Sequence, residues 1–589
     1  MSQQVNKEDL AAHNEVAREV AMTDHFWAGF NKSKEAGNKF EQALDSLMGS
    51  VAGQANLPIS LQKIFAHPAI QSKEAREIVL DGLEFGIKAY QASNGGDMPD
   101  PTLMAAALCE GASMLADSQF QSALDSLTNA HHEQLSVVPE MVQVTISTRL
   151  STGLPFFSQL PNPKGSNELP FLIANIVAGS DFAGMRKGDR LDGAKAGSSF
   201  VFNKRIFAMS KVGATNEYIV TPRVRYDNEA DKTPDIGSDA APFLGGRVVI
   251  RVNGVAIASD QASGSANSGT TQITAIRGAT VGGAALAISA GVVDLDDHEI
   301  RVTFAAALPA GAVVHAEVIF DFERKDSNKK PILNRPDSEI AYQKHSIFAV
   351  PSSAETYISV DAQTQMQNEL GISPQAAAMG QLQAKQYLEE NFYLFWLLAL
   401  QARQAGRVIQ FDYARGADPG LAAAYNNTAD GIAYINTTLR TAALNIRNIT
   451  LDNGSTDIIA GDHACILLSV LDESDSFKLI DGAVMNNGNV TRIGKFSDGR
   501  GLYHLPTQAG ILPEGSTTAT IMVIARGSRP ELNPTVGMTA VPPTFIDLTN
   551  KAFEKGVGFY SRRAVDVNPH QQYADGVYLI DMINLPQLS

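Results

Sequence analysis

Ser373-Pro374 opens a helical pattern that runs to Ala405, and Gly406 closes it. Ser is a favoured N-cap, Pro suits the first helical turn, and Gly ends helices by adopting a left-handed backbone. About 32 residues at 1.5 Å each make a rod of roughly 48 Å. Any fold of this chain has to accommodate that rod. Its centre, Phe392 to Leu400, is the longest apolar run. The run is too short to span a bilayer and reads as a helix segment buried on all sides. A second helix is expected over about Asp430 to Asn448, with Ile432, Ile435, Leu439, Ala443 and Ile446 on one face.

The chain around these helices is long and loop-rich. Its 589 residues suit two to four domains, and 44% hydrophobic against 19% charged residues is enough to bury real cores. Aromatics are only 7%, while glycines number 48, which favours β-rich architecture. The formal charge is −16, and an acidic surface repels phosphate, so a dedicated nucleic-acid binder is excluded as the first reading. Residues 1–140 hold 9 Lys and Arg against 19 Asp and Glu, a net of −10, and no Lys or Arg falls between Lys88 and Arg149. Two distant cysteines, Cys109 and Cys465, cannot form a disulfide framework and fit a reducing cytoplasm. The first residues lack the basic start and apolar core of a signal peptide.

Texture divides the chain. Residues 1–130 show helical spacing (Phe26, Phe30, then Phe40, Leu44, Leu47) broken by Gly95-Gly96-Asp97-Met98-Pro99-Asp100-Pro101, and read as an acidic helical segment. Residues 138–150, VPEMVQVTISTRL, alternate like a strand. Pro155, Pro161, Pro163, Gly165 and Pro170 then mark extended chain that needs a neighbour to pair its backbone. Residues 231–328 look like an inserted β-rich module. Asn253-Gly254 signals a hairpin, and 298–308 and 312–325 supply further strands, together suggesting a sandwich. In the last 140 residues, 463–471, 518–527 and 576–585 read as buried strands, and 477–484 as a short helix or strand. The fold class expected is α+β.

Catalytic patterns are scarce. There is no HExxH, CxxC or GxSxG. Gly494-Lys495 lacks the Ser or Thr of a P-loop, and Gly499-Arg500-Gly501 and Gly556-Val557-Gly558 lack a third glycine. Asp462, His463 and Cys465 lie close together, but a turn entering a strand with an inert buried Cys is the simpler reading. His131-His132-Glu133 reads as a solvated helix end. Asp294, Asp296 and Asp297 lack the Gly and Glu of an EF-hand and read as an acidic turn. The Phe392–Trp396 aromatics have no interleaved basic residues, so core packing is expected over base stacking. Arg562-Arg563 and Arg526 with Arg529 are small basic spots, better suited to a neighbouring subunit's carboxylates than to DNA. No catalytic, cofactor-binding or metal residues are assigned, no cofactor is expected, and the chain reads as structural, not as an enzyme.

The order of elements resembles the major capsid proteins of tailed bacteriophages, the Hong Kong 97 fold, in a large-phage form with an insertion domain. The likeness is strongest over residues 340–589. There DGAVMNNGNVTRIGKFSDGRGLYHLP (481–506) and EGSTTATIMVIARGSRPELNP (514–534) resemble axial-domain strands, and FYSRRAVDVNPHQQYADGVYLIDMINLP (559–586) resembles the closing segment. The resemblance implies a scaffolding-like segment over 1–130, an N-arm over 131–165 and an E-loop region over 166–230. It implies the insertion over 231–328, a peripheral domain over 329–448 with spine helix 373–406, an axial domain over 449–550, and a return to the peripheral domain over 551–589.

The implied function is self-assembly into pentamers and hexamers of an icosahedral head around double-stranded DNA, in the virion, after assembly in the host cytoplasm. Implied partners are other copies of the chain, then portal, scaffolding and decoration proteins and a maturation protease. Packaged DNA would be held without sequence-specific binding, and no membrane is involved. A negative 1–130 lining would hinder DNA entry, so its removal is an expectation, with weak candidate cuts at Ser33-Lys34-Glu35, Ser72-Lys73-Glu74 and Pro139-Glu140. Alternatives are a tail sheath or baseplate protein, a hydrolase with a β-sandwich accessory domain, and a carbohydrate-binding surface protein.

Overall fold

The computed structural model describes residues 7–35, 57–116, 134–414 and 432–587. Within these, positions 229, 277–279, 282–283, 360, 363–364, 366–373, 453, 475–476, 481, 483–484, 486–487 and 552–553 are excepted. The chain forms two compact units, one of residues 1–173 with 343–589 and one of residues 174–342.

Among the described residues the first unit begins with the α-helices α1 (Lys7–Glu35), α2 (Ile59–Ala66), α3 (Lys73–Ser93), α4 (Pro101–Ala116) and α5 (Gln134–Ser151). Ser72 caps α3, its hydroxyl accepting the Ala75 N–H at 3.1 Å. Leu61, Ile64, Val79, Leu83, Ile87, Leu108, Val142, Ile146 and Leu150 share one core. Helices α3 and α5 touch backbone to backbone. A Cβ on Gly82 would sit 2.8 Å from the Gln143 Cα, and one on Gly86 2.9 Å from the Ser147 Cα. Phe40, Leu44, Leu47 and His131-His132-Glu133 lie outside the described residues.

Residues 138–150 are therefore helical, not a strand. The buried set is Val138, Met141, Val142, Thr145, Ile146, Arg149 and Leu150, the i, i+3, i+4, i+7 stripe of a helix. The expected N-arm over 131–165 is corrected accordingly: chain that is extended and paired begins only at Phe157.

Helix α6 (Pro374–Gln404) is the long rod, and Gly406 ends it at φ +68°. Ser373 lies outside the described residues. The helix is amphipathic, which corrects the expectation of all-round burial. Leu394, Phe395, Leu398 and Ala399 are buried, while Tyr393 and Trp396 are about half exposed and Leu400 stands beside them. Alongside α6 runs a four-stranded sheet. Its order is Phe157–Leu160, Thr535–Lys551, Glu554–Val567, Val350–Ser359, with the first pair parallel and the others antiparallel.

A seven-stranded sheet completes this unit, in the order Val408–Asp412, Val577–Ile583, Ala519–Arg526, Ser455–Ala460, Gly501–His504, Thr491–Phe496, Phe477–Leu479. One face packs on α7 (Ile435–Thr450) and α8 (Asp462–Ser469), through Ile521 and Val523 against Leu439, Ile446, Cys465 and Leu468. The other meets α6, through Met522 and Ile524 against Leu394, Phe395 and Leu398. Burial on both faces explains the unbroken apolar run at 521–525. On α7 it is Ala442, not Ala443, that is fully buried; positions 430–431 lie outside the described residues.

Residues 463–471 are a second correction, since they form α8 and a following 3-10 turn, not a strand. The Glu514 carboxylate accepts the N–H groups of His463 (3.0 Å) and Ala464 (3.1 Å), the bare donors of a helix start. The expected division at 550/551 falls within the hairpin of Thr535–Lys551 and Glu554–Val567, and Val577–Ile583 lies inside the seven-stranded sheet. Residues 477–479 are a strand; positions 481, 483 and 484 lie outside the described residues.

The second unit has two five-stranded antiparallel sheets around one core, with Val293, Ile300 and Val302 from one and Ile250, Val252 and Ala316 from the other. The hairpin at Asn253-Gly254 forms as expected, both residues having positive φ (48° and 81°) as a type I′ turn demands. Asp260, fully buried, accepts the N–H groups of Gly246 (2.7 Å) and Val248 (2.8 Å) and the Thr271 hydroxyl (2.9 Å). The unit is wider than 231–328, because Lys204–Ala208 pairs with Val314–Ile319 and Glu217–Val220 with Glu299–Phe304. Strands Glu168–Ala178 and Ser338–Phe348 pair as a two-stranded ribbon, and the division between the units falls within both.

Candidate functional site

A buried group of titratable side chains lies in the first unit, where α4, α5, α6 and the strand Glu554–Val567 meet. Glu110 interrupts the apolar run of α4 and is 2% exposed. Its carboxylate lies 3.6 Å from Arg149 Nε and 3.5 Å from Arg563 Nη1, and it accepts the Tyr387 hydroxyl. Arg563, 1% exposed, also reaches Glu390 Oε2 at 3.2 Å and lies over the Tyr387 ring at 4.2 Å. Gln386 joins Ser561 and Glu390, each at 2.9 Å.

The chemistry of this cluster is that of a joint. Burial, and then Glu110, push the Tyr387 phenol well above its ordinary range. Burial also raises the Glu390 carboxyl, against the pull of Arg563 and Arg149. Burial works against the charge of Arg563, but Glu390, Tyr387 and Glu110 outweigh it and hold the guanidinium protonated. Burial and the nearby Arg563 lower Arg149. Two cations are balanced by two carboxylates, with Glu110, Arg149 and Arg563 all buried. Sequence reading assigned Arg562-Arg563 to a neighbouring subunit's carboxylates, and for Arg563 the structure corrects this, since its carboxylates come from its own chain. Its partners went unassigned in the sequence, although Glu110 is the one charged residue of Pro101–Ala116 and was the available signal.

The other sequence candidates do not converge. Asp462 faces His504, while His463 sits between the carbonyls of Gly515 (3.1 Å) and Pro586 (3.3 Å). Burial opposes the Asp462 charge, but hydrogen bonds from His504 and Thr507 hold its carboxyl below the usual range. Cys465 is fully buried, and burial lifts its thiol well above the usual range; Cys109, beside the Ser60 hydroxyl at 2.9 Å, is pushed up to about 12 by burial first. Asp294 accepts the N–H groups of Asp296 and Asp297 at 2.9 and 3.0 Å, closing an acidic turn. Of the Phe392–Trp396 aromatics, Phe395 is core but Tyr393 and Trp396 face solvent, which corrects the core-packing expectation for those two. Arg526 stands 3.9 Å from Asp97. Among the described residues no group of His, Cys, Asp or Glu is placed to hold a metal ion, and no helix is long and apolar enough to cross a membrane.

Exposed apolar side chains also lie on extended chain. In the first unit Phe348 (62%) and Val350 (60%) stand out, at the end of Ser338–Phe348 and the start of Val350–Ser359. Among the described residues, Val350–Ser359 is an edge of the four-stranded sheet, paired on one side by Glu554–Val567.

No family model matches the chain, and no curated protein does. Among solved structures it is similar to the capsid of the jumbo bacteriophage PhiKZ, at 8% identity over 71% of this chain and 89% of that one, TM-score 0.34. The capsid of Ralstonia phage GP4 matches at 9% identity over 45% and 81%, TM-score 0.29. A virus-like particle from Pyrococcus furiosus matches at 12% identity over 41% and 80%, TM-score 0.23. None of these scores reaches 0.5, and none carries the functional reading; the chain's own residues do.

Proposed function

We infer that the chain is a structural subunit of a closed protein shell, a capsid protein of the Hong Kong 97 type. The observation that carries this is the edge strand Val350–Ser359, whose second side has no strand partner among the described residues and where Val350 (60%) and Tyr357 (40%) are exposed. A strand edge with large exposed apolar side chains is a liability in a monomer, and repeated copies of one chain cover it in a closed assembly. The element order supports the same reading: a paired ribbon bearing a β-unit, a long helix along a sheet, and a mixed sheet behind it. The dense charge cluster supports it too, because it locks four elements together.

In this proposal the copies form pentamers and hexamers of an icosahedral head in the virion, assembled in the host cytoplasm. The head encloses double-stranded DNA without reading its sequence. Portal, scaffolding and decoration proteins and a maturation protease are its proposed partners. The test is sedimentation velocity and electron microscopy of the purified chain over a concentration series. Rings of five and six or closed shells are expected. Tubes would turn the reading to a tail sheath, and a monomer at every concentration would refute it.

A further inference from the structure

Helix α1 is held to the first unit more by carboxylates than by apolar packing. Among its described side chains Asp9, Glu19, Thr23 and Phe26 are buried, and of these only Phe26 is apolar. Glu19 accepts the N–H groups of Ile59 (3.0 Å) and Ser60 (2.9 Å). It caps α2, which cannot cap itself because Pro58 at the cap position has no side-chain acceptor. In residues 7–18, ahead of Glu19, the one described side chain that is buried is Asp9, whose carboxylate meets Lys344 Nζ at 2.6 Å. Glu15 reaches Lys164 at 3.0 Å. Val16 packs, partly buried, against the core that holds Leu160, Leu169 and Phe171.

Under this stretch lies a cleft of about 270 Å³, with His13, Val16 and Ala17 on one wall and Leu160, Leu169 and Phe171 on the other. Walls that do not meet forfeit their dispersion contacts, so the helix rests over these residues without filling the space. The floor is the base of the ribbon. Leu169 and Phe171 lie on Glu168–Ala178 and Lys344 lies on Ser338–Phe348, all in the first unit. Residues 7–18 therefore touch both ribbon strands, with little buried apolar surface to hold them there. Segments of that kind open locally at low cost.

We propose that residues 7–18 are a strap across the base of the ribbon, latched by Asp9 on Lys344 and opening about Glu19 and Phe26, which stay seated. Closed, the strap covers Leu169 and Phe171 and ties down the strand of Lys344. Open, it uncovers them and leaves that strand without its tie to α1. The latch is a partly buried charge-assisted pair, its side chains 16% and 11% exposed, and outweighs the Glu15–Lys164 pair, whose side chains are 35% and 60% exposed. A freed stretch of this length is too short to stay helical in water, so opening also unravels it. The device belongs to the free chain and does not depend on the shell-subunit reading.

The test is amide hydrogen exchange of the full chain, read by mass spectrometry over residues 7–18, 343–348 and α3. In wild type, 7–18 is expected to exchange faster than α3. Asp9→Asn keeps the shape and removes the charge. It is expected to speed exchange roughly tenfold in 7–18 and to speed it in 343–348 as well, with α3 unchanged. Lys344→Gln is expected to do the same from the other side. Val16→Leu adds a methylene above the open cleft and is expected to slow exchange in 7–18 about fourfold, the worth of one buried methylene. Because the opening is local, the melting temperature of each variant is expected to match wild type. Exchange in 7–18 as slow as in α3 overturns the strap. So does an Asp9→Asn variant that leaves 343–348 unchanged, or one that lowers the melting temperature and speeds exchange throughout the first unit.

Discussion

Glu110→Gln is the sharpest test of the buried joint. The substitution keeps shape and removes one of two carboxylates facing two guanidiniums, leaving Arg149 and Arg563 with Glu390 alone. Breaking one partner of a buried ionic set costs about 3–5 kcal/mol, because an uncompensated charge stays behind. The first unit has about 420 residues, and at about 2.1 cal/mol/K per residue its unfolding entropy is close to 0.9 kcal/mol/K. A cost of about 4 kcal/mol therefore lowers its melting temperature by about 5 °C. Differential scanning calorimetry of the unassembled chain measures this. Adding Arg149→Met removes one of the two cations as well, and is expected to recover a large part of the loss; the double-mutant cycle gives the coupling directly. A Glu110→Gln melting point within about 1 °C of wild type would refute the argument that this carboxylate balances the two guanidiniums.

His570 gives a pH prediction. It is 4% exposed, 4.4 Å from the His345 ring, with Nδ1 3.1 Å from Gln343. Burial first, and then His345, lower its pKa to about 4. The unfolded chain protonates near 6.5 and the folded one only near 4, so stability is full above 6.5 and falls as pH drops towards 4. The loss is at most about 3 kcal/mol, and chemical denaturation of His570→Gln between pH 7 and 4 should show a flatter profile than wild type. Asp260→Ala strands two buried N–H donors in the second unit, for a cost of about 2–4 kcal/mol. Calorimetry should show the transition of the 174–342 unit moving down while that of the first unit stays.

Much of the architecture was legible where local chemistry decides. Asn253-Gly254 can hardly be anything but a tight hairpin turn, and the α6 pattern names its own length. Failures came where a distant residue decides. Residues 463–471 are one short apolar run, which periodicity cannot assign. Glu514, about 50 residues downstream, makes them a helix by accepting the N–H groups at its start. Val142, Val144 and Ile146 do alternate, but the glycines of α3 admit α5 side on, so Val142 and Ile146 go inward with Met141 and Leu150. Tyr393 and Trp396 read as core because apolar composition carries no direction. The joint at Glu110 was hidden because its members lie as much as 453 positions apart, from Glu110 to Arg563.

If the chain is the shell subunit proposed above, that joint also limits where it can be trimmed. If a protease removed everything up to residue 130, the cut product would lose Glu110 and expose the core shared by α2, α3, α4 and α5. The candidate cuts at Ser72-Lys73-Glu74 and Pro139-Glu140 fall at a capped helix start and inside a helix, neither of them an extended strand a protease can grip. On the proposed shell-subunit reading, the helical segment from Leu57 onward is expected to stay with the product, and any trimming to stop upstream of it. Mass spectrometry of finished particles reads the answer from the first residue of the chain.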